Sequence, residues 1–115
     1  MKISINERNH ELRENMRGGD GTAVLDTVPK AALPEHMRLA GMITLKKGCG
    51  IGSHVHEGET EIFIIHSGNG IVEDNGTEKS IGPGEILLTG NGASHGIRNE
   101  KEAPLIFSAV IVTKD

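Results

Sequence analysis

Residues 48–68 decide the fold, and they read GCGIGSHVHEGETEIFIIHSG. His54 and His56 stand two apart, so on a β-strand both imidazoles point to the same face. Glu61 has the wrong parity to join them on one unbroken strand, and Gly58 offers the turn or bulge that resets the register. The stretch therefore predicts two β-rich segments joined near Gly58, with two imidazoles and one carboxylate brought close together.

The rest of the chain consists of short β-rich runs separated by turn residues. Asn75-Gly76 is the strongest hairpin signal and predicts a type I′ turn with both residues at positive φ. Gly82-Pro83-Gly84 predicts a further turn. So many short strands with hardly any helix are typical of an all-β sandwich or jelly-roll barrel. We expect strands over residues 22–28, 36–46, 61–67, 71–74, 77–81, 85–89, 94–99 and 105–113.

Residues 1–21 are polar and form an N-terminal arm ahead of a domain expected over residues 22–115. Leu12 and Met16 have helical spacing, which predicts a short helix near residues 9–16. We expect this arm to pack on the barrel or on a second subunit rather than to take a direct part in function.

Length and composition exclude several classes of function. The chain has 115 residues, room for one domain and one core. Its net charge of −4, with two Phe and no Tyr or Trp, argues against a nucleic acid partner. No apolar run reaches the length of a membrane span, so we expect no membrane partner. A single cysteine, Cys49, and the lack of an apolar leader at the start of the sequence predict a protein of the reducing cytoplasm.

A further histidine completes a candidate metal site. His95 follows another hairpin and two turns, on a later strand that is able to cross back past the first two histidines. Neutral imidazoles with one carboxylate suit Mn²⁺, Fe²⁺, Co²⁺, Ni²⁺ or Zn²⁺. Such a ligand set leaves open positions on a six-coordinate ion for water or substrate, as a catalytic site requires.

Two spaced motifs resemble those of the cupin family. Gly48-x5-His54-x-His56-x4-Glu61-x6-Gly68 is similar to the first cupin motif at every defined position. The second motif is matched by Gly84-x5-Gly90-x-Gly92-x2-His95-x3-Asn99, with Gly90 where the family usually has proline.

The resemblance implies an all-β double-stranded β-helix, the jelly-roll barrel of cupins, that holds one divalent transition metal ion. Manganese and iron are favoured, with zinc, nickel and cobalt as alternatives. The motif spacing selects Glu61 over Glu57 and Glu59. The metal ligands implied by the resemblance are His54, His56, Glu61 and His95.

The fold and the metal do not fix the reaction, because cupins catalyse decarboxylation, dioxygenation, sugar isomerisation and hydrolysis, and some only bind. This chain resembles oxalate-decarboxylase-like and sugar-phosphate-isomerase-like cupins. Oxalate decarboxylases place an arginine three residues before the first motif histidine, where this chain has Ile51. An anion clamp would therefore need Arg17 or Arg38 to reach the site from elsewhere.

We favour a metal-dependent enzyme that acts on a small carboxylate, a sugar or a dioxygen-requiring substrate, without assigning a catalytic residue. The alternative is a non-catalytic module that binds or senses a metal and a small ligand. In either case the partner is a small molecule. We also expect a homodimer, in which the N-terminal strand is exchanged with the partner or laid across it.

Several other residues receive a structural interpretation. We expect an aliphatic, narrow interior, lined or underlain by Phe63, Ile65, Ile86, Leu88 and Ile97. Glu57 and Glu59 are the nearest acid–base candidates but are expected to be solvated charges on a turn. Surface positions are expected for His10, His36 and His66.

Overall fold

The computed structural model describes residues 1–114, which form ten β-strands and two short 3₁₀ turns. Within these residues no helix is long and apolar enough to cross a membrane. The strands are β1 (Asn9–Glu14), β2 (Thr22–Thr27), β3 (Met37–Leu45), β4 (Gly50–Val55), β5 (Glu59–Ser67), β6 (Gly70–Asp74), β7 (Thr77–Ile81), β8 (Ile86–Gly90), β9 (Ser94–Arg98) and β10 (Leu105–Thr113).

The strands form two antiparallel sheets that pack face to face. One sheet has six strands in the order β1-β2-β3-β10-β5-β8, and the other has four in the order β4-β9-β6-β7. Burial alternates along β2, β5 and β10, so that one set of their side chains fills the space between the sheets. The expected all-β jelly-roll barrel is confirmed. Its most buried apolar side chains are Leu25, Ile43, Leu45, Phe63, Ile65, Leu105 and Phe107.

The hairpin between β6 and β7 follows the sequence signal closely. Asn75 and Gly76 have φ values of 48° and 95°, as a type I′ turn requires. Since this turn matches the right-handed twist of the two strands, it fixes their register, with Asp74 opposite Thr77. The predicted turn is confirmed.

The helix predicted near residues 9–16 is wrong. The segment forms strand β1, which pairs antiparallel with β2 and sets Leu12 opposite Val24. Without β1, the backbone groups of β2 would lie exposed at the sheet edge, so pairing satisfies them and outweighs the helical spacing of Leu12 and Met16. Leu12 points away from the core and is 62% exposed.

The expectation that Ile86 and Leu88 line the barrel is also wrong, because their side chains are 62% and 65% exposed. Directly opposed residues on paired strands share a face, and Thr89 lies opposite Glu61. Pairing with β5 therefore turns Leu87 and Thr89 inward and sends their neighbours outward. The expectation is confirmed for the buried side chains of Phe63, Ile65 and Ile97.

Phe107 allows a direct test of this core. Its side chain is fully buried and packs against Phe63, with 4.8 Å between the ring centroids. We expect Phe107→Ala to lower the free energy of unfolding in urea by about 3–5 kcal/mol, because it leaves a cavity. Ile5→Ala, at a side chain that is 73% exposed, is the control and should change it by about 0.5 kcal/mol or less. Equal effects of the two substitutions would contradict this arrangement of the core.

Candidate metal centre

Four side chains from both sheets converge at one end of the barrel. His54 lies near the end of β4, His56 directly after it, Glu61 in β5 and His95 in β9. One potential ligand atom from each residue lies within 4.8 Å of the others. Sheet pairing explains part of this convergence, since His54 and His95 are directly opposed on β4 and β9. The structure thus brings together all four residues that the sequence singles out.

The turn between β4 and β5 delivers the carboxylate as the sequence predicts. Gly58 adopts a positive φ of 69°, a conformation that glycine takes at little cost. Beyond this turn the register is reset, and Glu61 points inward together with Phe63 and Ile65. Two histidines and a carboxylate of opposite parity can therefore face the same point.

The ligand atoms approach one another closely. The Nε2 atom of His95 lies 3.0 Å from that of His56 and 3.2 Å from that of His54. Glu61 Oε1 lies 2.9 Å from the Nε2 atoms of both His56 and His95. His56, Glu61 and His95 are almost fully buried, whereas His54 is half-buried and faces the opening.

Two of the imidazoles are held by groups that can only accept a hydrogen bond. One group is a backbone carbonyl and the other is a carboxylate. His54 Nδ1 lies 2.7 Å from the carbonyl oxygen of Gly52, and His56 Nδ1 lies 2.6 Å from Glu59 Oε2. Nδ1 must carry the proton in both rings in order to donate. Each neutral ring then presents the lone pair of Nε2 to the centre of the cluster.

The third imidazole is fixed from another direction. His95 Nδ1 lies 2.9 Å from the hydroxyl oxygen of Thr89, and Phe63 stacks on the ring with 4.6 Å between centroids. Thr89 is itself buried and lies opposite Glu61 on the neighbouring strand. This packing leaves Nε2 as the atom that points to the cluster.

This donor set fits a divalent cation. The lone pairs of nitrogen atoms 3.0–3.2 Å apart repel one another unless a proton or a cation lies between them. A buried carboxylate likewise requires a compensating positive charge. One ion at the centre would satisfy Glu61 and all three imidazoles at once, and nitrogen with oxygen donors suits first-row transition metals.

A charged pair supports His56 from outside the cluster. Arg38 donates to both carboxylate oxygens of Glu59, over 2.9 Å and 2.8 Å. These bonds, together with the bond from His56, lower the pKa of Glu59 to about 2. Glu59 is therefore ionised at neutral pH and accepts the Nδ1 proton of His56.

The state of His54 also suits metal binding. Burial lowers the pKa of this imidazole, the bond to the Gly52 carbonyl opposes that effect, and the electrostatic influence of the neighbouring His95, His56 and Arg17 lowers the pKa further. The neutral ring is favoured, which is the form that binds a metal ion.

The other candidates lie where the sequence places them, with one exception. His10, His36 and His66 are exposed and lie outside the cluster, as predicted. Glu57 is exposed as well. Glu59 is not the solvated charge that we expected, since only 15% of its side chain is exposed and it bridges His56 and Arg38.

A chamber of about 50 Å³ adjoins the cluster. A chamber of this volume has room for only a few water molecules, so a ligand that enters it must be small. The chamber is bordered by three of the candidate ligands, His54, His56 and Glu61. Its lining also includes three arginines, Arg13, Arg17 and Arg38. The expectation of a narrow interior is confirmed, with one aromatic ring among apolar walls formed by Leu25, Leu39, Ile43, Ile51, Phe63 and Ile111.

The sequence profile of the cupin domain family matches residues 41–112, more than half of the chain. This chain is a cupin. The matched region includes both motifs and all four residues of the cluster, so the family implied by the motif spacing is confirmed.

Known relatives agree with this assignment. An oxalate-binding protein from Thermotoga maritima is 37% identical over 113 residues, which cover 97% of this chain and 93% of the relative. The crystal structure of a predicted oxalate decarboxylase from Thermotoga maritima superposes with a TM-score of 0.90 at 37% identity, over 98% of this chain and 99% of that one. The structure of a sugar phosphate isomerase from Silicibacter pomeroyi superposes with a TM-score of 0.77 at 14% identity, over 99% of this chain and 76% of the isomerase chain. At this identity the similarity shows a shared fold.

The one departure from the cupin motifs does not disturb the cluster. Gly90 ends β8, and the turn after it is made by Asn91 and Gly92, whose φ values are 56° and 82°. A Cβ atom at Gly90 would lie 2.5 Å from the hydroxyl oxygen of Thr60, so this cupin packs the neighbouring strand closely against a glycine. His95 still reaches the site.

Sequence reasoning missed three residues that support the imidazoles. Glu59 and Thr89 hold His56 and His95, and Arg38 holds Glu59. Glu61 lies on the inward face of β5, so the register between β5 and β8 would have shown that Thr89, its partner on β8, also points inward. That register is not visible in the local sequence. No local pattern connects Arg38 with Glu59, because they come from different strands.

Glu59 provides a test of how the imidazoles are oriented. We expect Glu59→Gln to weaken metal binding by roughly 10- to 100-fold, because it removes the charged acceptor that fixes the tautomer of His56. Competition with a chromophoric chelator would measure the affinity. Glu57→Gln makes the same change of charge at an exposed position and should leave the affinity unchanged, whereas equal losses in both variants would contradict this role of Glu59.

Proposed function

We propose that this cupin holds one divalent transition metal ion through His54, His56, Glu61 and His95, and that the ion binds a small carboxylate anion at its open positions. Manganese and iron remain the favoured ions. The observation that carries the proposal is the position of the cluster beside a small chamber with an arginine-bearing rim. A relative named for oxalate binding, similar over nearly its whole length, supports the same class of ligand.

The chain's own residues define the chemistry that such a centre can perform. A divalent ion would act as a Lewis acid toward a carboxylate oxygen. Three neutral imidazoles and the single negative charge of Glu61 would leave the centre positive and therefore attractive to anions. Apolar walls around Ile51 and Phe63 limit the access of water and strengthen this attraction.

Binding is the function that these residues support most directly. Among residues 1–114, the chamber is lined by no acid or base other than the candidate ligands and the arginines. Glu59 is engaged by His56 and Arg38, so it is not free to transfer a proton. Turnover of the bound anion is a second candidate function. It is supported by three of the four ligands, which border the chamber, so that the open positions of the ion would face a substrate.

Metal analysis followed by titration with oxalate tests the proposal. We expect protein loaded with one Mn²⁺ or Fe²⁺ per chain to bind oxalate. The His54→Ala and Glu61→Ala variants should lose both the metal and oxalate while keeping the β-sheet signal in circular dichroism. His66→Ala is the control at an exposed histidine and should retain both. Loaded protein that does not bind oxalate or another small carboxylate would refute the proposal.

The same preparations separate turnover from binding. Consumption of oxalate, with appearance of formate and carbon dioxide, would favour an enzyme if it is lost on removal of the metal. Stable binding without products, in air and under anaerobic conditions, would favour the binding module. In both outcomes the metal centre and its ligand class stand.

We also propose that the outer face of the six-stranded sheet pairs with the same face of a second copy. Ile86 and Leu88 lie opposite Ile64 and Ile62, so these side chains form a continuous apolar surface. Soluble monomers rarely expose such a patch, and one patch on two identical chains is complementary to itself about a two-fold axis. Because β1 pairs with β2 of its own chain, this arrangement does not require strand exchange.

Sedimentation velocity tests the dimer. We expect the wild-type protein to sediment as a dimer at micromolar concentration, and Leu88→Glu to sediment as a monomer because two charges would be buried at the two-fold axis. Ile5→Glu places the same charge on an exposed side chain that precedes the first strand and should remain dimeric. A wild-type protein that is monomeric throughout this range would overturn the proposal.

The cytoplasmic location expected from the sequence stays a prediction. Cys49 carries a free, half-buried thiol in the glycine-rich loop before β4. A lone thiol of this kind is typical of reducing compartments.

A further inference from the structure

The N-terminal arm does not end at the sheet edge but folds over the metal chamber. After β1 the chain makes a 3₁₀ turn, Met16–Gly18, which packs on β4. The backbone of Gly50 donates to the carbonyl oxygen of Asp20 over 2.8 Å. A Cβ atom added at Gly52 would overlap the carbonyl oxygen of Arg17, so the two backbones touch at this point.

The close contact places Arg17 beside the first candidate ligand. Arg17 is an exposed residue that lines the chamber together with His54. The backbone of Arg17 has a positive φ of 55°, and Asn15 has a φ of 50°, a conformation that costs energy in residues other than glycine. The surrounding contacts hold these two residues, on either side of Met16, in the left-handed conformation, and this path of the backbone places Arg17 at the rim of the chamber.

Arg17 differs from the other two arginines of the rim in having no partner. Arg38 is neutralised by Glu59, and Arg13 donates to Glu11 over 2.8 Å. Among residues 1–114, Arg17 forms no ion pair and its side chain makes no hydrogen bond. β4 contributes no cation to this wall, where Ile51 is buried. The rim therefore carries one uncompensated positive charge.

We propose that Arg17 is a specificity-determining residue that binds the second carboxylate of a dicarboxylate whose first carboxylate lies on the metal ion. This inference rests on the proposed function and names its ligand class. A divalent ion, the negative charge of Glu61 and the positive charge of Arg17 sum to two positive charges, which a dianion neutralises. The planar guanidinium can donate two parallel hydrogen bonds to one carboxylate.

The small chamber limits the length of this dianion. A cavity of about 50 Å³ favours the shortest dicarboxylates, of which oxalate is the simplest, over longer ones. A monocarboxylate such as acetate would reach the ion but would leave Arg17 without a partner. The structure thus predicts that Arg17 raises affinity for oxalate and not for acetate.

Calorimetric titration of metal-loaded protein with oxalate and with acetate tests the role of Arg17. We expect Arg17→Asn to weaken oxalate binding by about 10- to 100-fold, the loss typical of a charged hydrogen-bonded pair, and to leave acetate binding unchanged. Asparagine tolerates the left-handed backbone at this position, so the turn should keep its shape. Metal affinity, measured separately with a chelator, should equal that of the wild type.

Arg8→Asn is the matched control on the same arm. Arg8 pairs with Asp26 and does not line the chamber, so its loss should leave oxalate affinity unchanged. Arg17→Asn with wild-type preference for oxalate over acetate would overturn the inference, as would loss of the metal from this variant. Loaded wild-type protein that binds neither anion would instead refute the proposed function, so the two failures are distinguishable.

Discussion

The Nδ1 atoms of His54, His56 and His95 are each held by a hydrogen-bonding partner, and the arrangement of the site depends on this constraint. An imidazole has two nitrogen atoms on different sides of the ring. When Nδ1 forms a hydrogen bond with the surrounding protein, Nε2 points away from that partner. In this barrel the opposite direction is the same point for all three rings. The partners come from a backbone carbonyl, a carboxylate and a hydroxyl, so no single residue type or strand determines the orientation.

The scaffold provides this convergence through register. Opposed residues on β4 and β9 bring two histidines together, and opposed residues on β5 and β8 set Thr89 across from Glu61. A shift of one residue in either pairing would send these side chains to the outer face. The hydrophobic core and the polar cluster therefore depend on the same alternation, since Phe63 packs in the core on one side and stacks on His95 on the other.

Local signals predicted most of the site, and long-range pairing decided the rest. The parity of His54 and His56, the turn at Gly58 and the hairpin at Asn75-Gly76 are properties of a few neighbouring residues, and all three were predicted. The inward face of β8 is set by β5, more than twenty residues earlier in the chain, so the parity assigned to Ile86 and Leu88 had no local check. Strand β1 was mistaken for a helix for the same reason, because its conformation is decided by β2. The position of Arg17 follows only from the path of that arm.

The candidate ligands are divided between the two layers of the sandwich. Glu61 belongs to the six-stranded sheet, whereas His54 and His95 belong to the four-stranded sheet. An ion bound by all of them would be a cross-link that closes one end of the barrel, and its binding free energy would add to the stability of the folded chain. Loss of the ion would leave crowded lone pairs and a buried carboxylate at the joint between the layers, which would destabilise this end of the barrel. The availability of the metal would then affect how well the protein resists unfolding and proteolysis, as well as what it can bind.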